Sequence, residues 1–190
     1  MSAVTAMQTR RSARSGRLPR AYLVVAAVLP LALLVIYVIT FGIVSAPSAV
    51  RIGDPAPRFA LADLDGNPLR LSDYAGRPVI LNFWASWCGP CVEEFPLLRQ
   101  AEQQHAADGL AVIGIVYQDR SEAARAFMQR MDADWPAAMD PGDSLASQYA
   151  IFAPPETFFI GRDGSIVGHQ VGQFSRASLD RQIAAIVAKE

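Results

Sequence analysis

The sequence predicts an α/β domain with a mixed central sheet flanked by helices, an added N-terminal β-hairpin and, ahead of both, one membrane-crossing helix. Three observations carry that prediction. Residues 78–84 and 110–117 are short runs of aliphatic and aromatic side chains, the composition of strands buried on both faces. A stretch of helical composition separates them, and strand-like and helix-like segments keep alternating to the C-terminus, which is the pattern of an α/β layer architecture. Residues 21–50 hold no charged side chain at all. At 190 residues the chain has room for one ordinary domain besides that segment.

The formal net charge of −1 conceals two unequal parts. Arg10, Arg11, Arg14, Arg17 and Arg20 give the first twenty residues a charge of +5 with no acid, and the remainder carries 12 basic and 18 acidic residues. An acidic folded part without a basic stripe excludes nucleic acid as a partner and points to a membrane. Residues 22–44 would span about 35 Å as a helix, enough for a bilayer core of about 30 Å. The arginines in front of that run orient the N-terminus toward the cytoplasm and the domain toward the far side. A cleaved signal peptide and a buried core helix are the competing readings. The former needs only about 7 to 15 apolar residues and a small-x-small site, and the best candidate, Val44-Ser45-Ala46, is followed by Pro47. Arg10-Arg11 stands too far from the apolar run for a twin-arginine signal. The expected division is a cytoplasmic basic arm at 1–20, a single-pass anchor at 21–44, a linker at 45–58 and a periplasmic or otherwise extracytoplasmic domain at 59–190.

The linker is rich in Ser, Pro and Gly, which keeps it extended and helix-free. Residues 59–61 and 69–71 flank Asp65-Gly66-Asn67 and predict a hairpin. A helix is expected from residue 90 to about 107, with Val92, Phe95, Leu98 and Ala101 near a 3.6-residue period, a kink at Pro96 and a stop at Gly109. Residues 121–131 form the next helix, with Ser121 as its N-cap, and 144–149 a short one. Residues 157–160 and 166–170 make a second hairpin across Arg162-Asp163-Gly164. Ser175 caps a final helix whose Leu179, Ile183, Ile186 and Val187 form one apolar stripe. Trp135, Tyr149 and Phe152 are either core or the wall of a groove.

Only two cysteines occur, Cys88 and Cys91, three positions apart. A structural disulfide framework uses more cysteines and longer loops. Zinc needs four ligands, and His105 and His169 lie at no finger-like spacing, so no metal is expected. No cofactor is expected either, and His105, late in a helix, and His169, in a predicted strand, receive no catalytic role. A pair at the junction of a strand and a helix suits reversible disulfide chemistry. One helical turn brings both sulfurs to one face. Cys88, at the helix N-terminus, meets unpaired N–H groups and the positive end of the helix dipole, which favour a thiolate. Cys88 is then the attacking nucleophile and Cys91 the resolving thiol. Pro90 suits the first turn, where its missing N–H costs nothing.

The strand leading into Trp87-Cys88-Gly89-Pro90-Cys91, the flanking Trp84 and the helical Pro96 resemble the thioredoxin superfamily over about residues 55–190. The resemblance implies a thioredoxin-like fold, and it implies that Pro155, in Ala153-Pro154-Pro155-Glu156-Thr157-Phe158, is a cis-proline packed against the Cys-x-x-Cys loop. Trp87 and Pro155 then belong to the substrate-binding surface. Pro154 departs from the family pattern, which has a small residue directly before the cis-proline. Thioredoxins carry an aspartate six residues before the first cysteine; this chain has Asn82, and an amide cannot act as a base. Glu94, one turn after Cys91, and Glu156 are the candidates to carry the proton, the alternatives being a solvated first-turn acid and a surface loop acid. Burial near the sulfurs would raise the pKa of either one.

Both acids match positions in the extracytoplasmic cytochrome c maturation branch, the DsbE/CcmG and ResA/TlpA-like group. So do Gly53-Asp54-Pro55-Ala56-Pro57-Arg58-Phe59, Leu71-Ser72-Asp73, and residues 112–117 with Asp119. That resemblance implies a protein-disulfide reductase acting on exported proteins, with apocytochrome c as a client and a membrane thiol carrier as electron donor. A general thiol oxidase or isomerase shares the chemistry, because potential and partner set the direction of flow. A peroxiredoxin-like peroxidase is the third reading, but its cysteine usually follows a threonine by three residues, and Ala85 stands there.

Overall fold

The computed structural model describes residues 28–33, 37 and 50–188. Of the expected anchor, residues 28–33 and 37 are described, as helix with exposed side chains. The rest of that segment, the basic arm and the linker up to residue 49 lie outside the described residues. Among the described residues no helix is long and apolar enough to cross a membrane.

The domain opens with a two-stranded sheet, β1 (Ala60–Ala62) and β2 (Pro68–Arg70). Its turn is held by the Asp63 carboxylate, which accepts from the Asp65 and Asn67 N–H groups at 2.9 and 2.7 Å. The central sheet has β3 (Val79–Trp84), β4 (Ala111–Val116), β5 (Ala137–Met139), β6 (Glu156–Ile160) and β7 (Ile166–Val171) in the order β5-β4-β3-β6-β7. β3, β4 and β5 are parallel, and β6 and β7 are antiparallel to their neighbours, which makes the sheet mixed. Every residue of β3 and β4 is buried, as their apolar runs predict.

The helices are α1 (Gly89–Gln104), α2 (Ser121–Arg130), α3 (Ser144–Gln148) and α4 (Arg176–Val187). α1, α2 and α4 pack on one face of the sheet, where Trp84, Phe95, Phe127 and Leu179 meet. α3 covers the other, around Phe83, Tyr149 and Phe158. Trp135 and Tyr149 are core residues, whereas Phe152 is 90% exposed.

Several local expectations are corrected. The buried stripe of α1 runs through Cys91, Glu94, Phe95, Leu98 and Ala101, and Val92 is exposed. The helix face is set by Cys91 packing under the sheet edge, and residues three, four and seven positions on share its side. α1 contains Pro96 and ends at Gln104, earlier than the expected residue 107; a short 3₁₀ turn follows, closed by Gly109 in the left-handed region at φ 77°. Ser121 is the first helical residue of α2, preceded by Arg120 at the cap position with no side-chain bond. Ser175 does cap α4, its Oγ accepting from the Ser178 N–H at 3.2 Å. β5 was not legible, because Ala-Ala-Met has no alternation; it forms because Gly114, Ile115 and Val116 of β4 offer an edge to it.

Gly114 also makes room for the tryptophan that ends β3. A Cβ placed on it would stand 2.6 Å from Trp84 Nε1 and 3.2 Å from the Ala137 Cβ. Trp84 cannot retreat, since its ring stacks on Phe127 at 5.0 Å and meets Phe95 edge-on at 5.1 Å. Gly114→Ala is therefore expected to destabilise the domain by about 1 to 3 kcal/mol through overpacking. The check is the urea midpoint, which should fall.

Candidate active site

β3 delivers the chain to the Cys-x-x-Cys turn at the C-terminal edge of the sheet, and α1 starts there. Cys88 occupies the N-cap of α1 with extended backbone, and its Sγ accepts from the Cys91 N–H at 3.2 Å. Pro90 falls in the first turn. The two cysteines are joined as a disulfide, with Cα atoms 5.3 Å apart. Cys91 is fully buried and Cys88 keeps a slight exposure, while Gly89 and Pro90 between them face solvent.

Because β4 runs parallel to β3, the loop after it reaches the same edge and grips the Cys-x-x-Cys turn. Asp119 Oδ2 accepts from the Ser86 N–H at 2.6 Å, and the Gln118 carbonyl accepts from Trp87 Nε1 at 3.2 Å. Trp87 itself is 58% exposed, so its ring is held by one edge and presents a face to solvent. Gln118 was missed from the sequence, since a backbone carbonyl leaves no signature there.

Beneath α1 lies a buried polar group. Asn82 of β3 donates through Nδ2 to Glu94 Oε1 at 2.8 Å and to Thr157 Oγ1 at 2.9 Å. All three are buried, with Asn82, Glu94 and Thr157 each at 0% exposure. Glu94 Oε2 and Asn82 Oδ1 have no partner among the described residues. Desolvation pushes the Glu94 carboxyl up to about 8, opposed by the Asn82 hydrogen bond, which favours the anion. Glu94 is thus a buried acid one turn along from Cys91. Thr157, which ties the Asn82 amide to β6, was not foreseen.

The peptide bond between Pro154 and Pro155 is cis. Pro155 is buried and its carbonyl accepts from the Gly172 N–H at 2.9 Å. Neither proline has an N–H, so this part of the loop can offer an incoming strand only carbonyl acceptors. Glu156 is buried as well, but strand alternation puts it on the sheet face opposite Asn82 and Thr157. Its Oε1 accepts from the Phe152 and Ala153 N–H groups at 2.8 and 3.3 Å, and its Oε2 lies 3.0 Å from His169 Nε2. The structure therefore brings Cys88, Cys91, Trp87 and Glu94 into one neighbourhood and leaves Glu156 tied to the proline loop.

Two surface concavities, of about 410 and 630 Å³, are lined by none of these residues. The first lies between the N-terminal hairpin and α2, the second beside α4 and the β6–β7 turn.

A sequence profile of the AhpC/TSA family matches residues 52–169. The thiol-disulfide oxidoreductase ResA of Bacillus cereus is 30% identical over 137 residues, covering 72% of this chain and 79% of its own length. That of Bacillus subtilis is 27% identical over 143 residues, covering 75% and 80%. Among solved structures, a Chlorobium tepidum protein assigned as a thiol:disulfide interchange protein DsbE superposes with a TM-score of 0.70. It is 33% identical and covers 74% of this chain and 100% of its own.

Proposed function

Because this chain belongs to the AhpC/TSA family, in the thiol-disulfide oxidoreductase branch with ResA and DsbE, we propose that it reduces disulfides of exported proteins, with apocytochrome c as client. The observation that carries this reading is the Cys88–Cys91 pair at the start of α1 with Glu94 buried one turn on and held by Asn82.

In the reduced enzyme the Cys88 thiolate attacks one sulfur of the client disulfide. The client S–S bond breaks, a Cys88–client disulfide forms, and the other client sulfur leaves as a thiolate that takes a proton from water. Cys91 then gives its proton to the Glu94 carboxylate and attacks Cys88. The intramolecular disulfide closes, and the second client sulfur departs with the electron pair of the broken bond. Two electrons have passed to the client, and a dithiol donor returns them to the enzyme. A carboxyl pushed toward neutrality suits that proton transfer, since a base works best with its pKa near the working pH. Glu156, with its carboxylate occupied by two N–H groups and an imidazole, is assigned to loop geometry instead of proton transfer.

The client surface is then Trp87 and the Pro154–Pro155 loop, both beside Cys88 in this reading. We place the domain beyond a membrane, with the N-terminus in the cytoplasm and a membrane thiol carrier as donor. The arginine-rich start, the uncharged run at 21–50 and the exposed Leu29, Leu31, Leu33 and Tyr37 support that placement. Haem attachment to apocytochrome c needs free thiols at its Cys-x-x-Cys-His site, which an oxidising compartment tends to pair, and a tethered reductant answers that need. In cells whose only copy carries Cys88→Ser, holocytochrome c should fall to background; undiminished haem attachment removes the client assignment. Ala85 has no hydroxyl to offer a peroxide, so purified protein should reduce insulin and consume no peroxide.

A further inference from the structure

Glu156 and His169 take no part in the redox steps above, and strand geometry explains why they meet. In the antiparallel β6–β7 pair, Phe158 stands opposite His169. Glu156, two residues earlier on β6, shares the face of Phe158, so His169 is opposite one and diagonal to the other, within reach of a long side chain. The imidazole lies flat on the Phe158 ring, with centroids 4.1 Å apart and planes 9° from parallel. That stack aims Nε2 at Glu156 Oε2, 3.0 Å away. A carboxylate can only accept, so Nε2 carries the hydrogen.

The other oxygen of Glu156 holds the loop. Its two donors, the Phe152 and Ala153 N–H groups, are the last ones available before two consecutive prolines. Without them the loop would be held at its two ends, by the Ile151 N–H to Ala146 carbonyl bond at 2.8 Å and the Gly172 N–H to Pro155 carbonyl bond at 2.9 Å, and between them by a long contact from the Tyr117 hydroxyl to the Phe152 carbonyl at 3.5 Å. A buried carboxylate that loses one of its donors does not stay in place unchanged, because leaving an oxygen unpaired away from water costs more than an ordinary hydrogen bond returns.

We propose that His169 is a positioning residue for client binding. By holding Glu156 Oε2 it keeps the carboxylate on Phe152 and Ala153, and so fixes the 152–155 loop against which a client segment lies. The proposal deepens the reductase reading and rests on it.

Two variants of the full-length protein separate the donor from the ring. His169→Phe keeps the stack and loses the donor; His169→Gln keeps a donor and loses the stack. With insulin as substrate, His169→Phe should raise KM about fivefold, the factor corresponding to one hydrogen bond of ordinary net strength, and leave kcat unchanged. Its rate with hydroxyethyl disulfide, too small to need the loop, should also be unchanged. His169→Gln should stay near the parent in all three. Hydrogen exchange at the Phe152 and Ala153 amides should quicken in His169→Phe and not in His169→Gln. An insulin KM for His169→Phe within twofold of the parent, equal losses with both substrates, or unaltered amide exchange overturns the proposal. A parent protein that reduces no insulin overturns the reductase reading instead, and the amide exchange still decides the clamp.

Discussion

Cys91→Ala is expected to accumulate the protein covalently joined to its clients through Cys88, whereas Cys88→Ser should form no adduct and reduce nothing. The asymmetry follows from the start of α1. Cys88 sits at the N-cap, where unpaired N–H groups and the helix dipole stabilise a thiolate, and the exposed Gly89 and Pro90 leave its side of the turn open. Cys91 is fully buried inside the first turn and can be reached only by Cys88. Without Cys91 the mixed disulfide has no internal thiol to resolve it, and uncatalysed rearrangement takes minutes to hours. Non-reducing electrophoresis with mass spectrometry should show dithiothreitol-sensitive adducts at Cys88, and the partners so captured identify the clients. Equal trapping by both single-cysteine variants would refute the assignment of attacking and resolving roles.

Glu94→Gln should slow insulin reduction on the order of 10²-fold, the usual worth of a positioned acid or base, and at the same time stabilise the oxidised protein at alkaline pH. The two effects share one cause. Burial raises the Glu94 carboxyl from 4.5 to about 8 in the folded chain. Between those values the folded protein holds a proton that the unfolded chain has released, so stability falls as pH rises through that window and levels off above it. Once Glu94 is forced to ionise, the loss is on the order of 5 kcal/mol. Glutamine imitates the neutral acid and should abolish this slope. Parent and variant should therefore agree near pH 4, separate as pH rises to about 8 and keep a constant gap above it, with the variant the more stable. Urea titrations across pH read the difference directly, and the subtraction removes titrations common to both. Asn82→Ala, which deletes the hydrogen bond favouring the anion, should move the parent's midpoint upward. Parallel pH profiles for parent and Glu94→Gln would rule out a strongly perturbed Glu94. A site that lowers stability in order to work is a common trade in enzymes.

Cys88, Cys91, Gly89 and Pro90 are adjacent in the chain, and their chemistry depends on one strand end and one helix start, so it could be read in advance. For the same reason the buried runs at 78–84 and 110–117, the hairpins and the Ser175 cap were legible: each is encoded by neighbours within a few residues. The setting of Glu94 was not. Its partner Asn82 lies 12 residues away, and the amide is oriented by Thr157, 75 residues further along than Asn82.

The same distinction separates Glu94 from Glu156. As sequence both are candidates for the proton, Glu94 three residues after Cys91 and Glu156 beside the expected cis-proline. Strand alternation placed Asn82 and Thr157 on the face under α1 and turned Glu156 to the other face, where the N–H groups of the proline loop and His169 took it up. A lone histidine in a strand carries no sequence signal; cross-strand pairing with Phe158 is what brings His169 to Glu156.

By itself, then, the sequence determined the order of the helices and of every strand except β5, the charge asymmetry around the uncharged N-terminal run and the redox pair at a helix start. All of these follow from local periodicity, capping and composition. Tertiary structure alone decided which acid lies beneath the active helix, which one holds the proline loop, that Val92 faces outward, and that a three-residue strand closes the sheet edge. Those outcomes depend on which residues are brought together across the sheet, and burial and pairing of that kind arise only when distant segments pack.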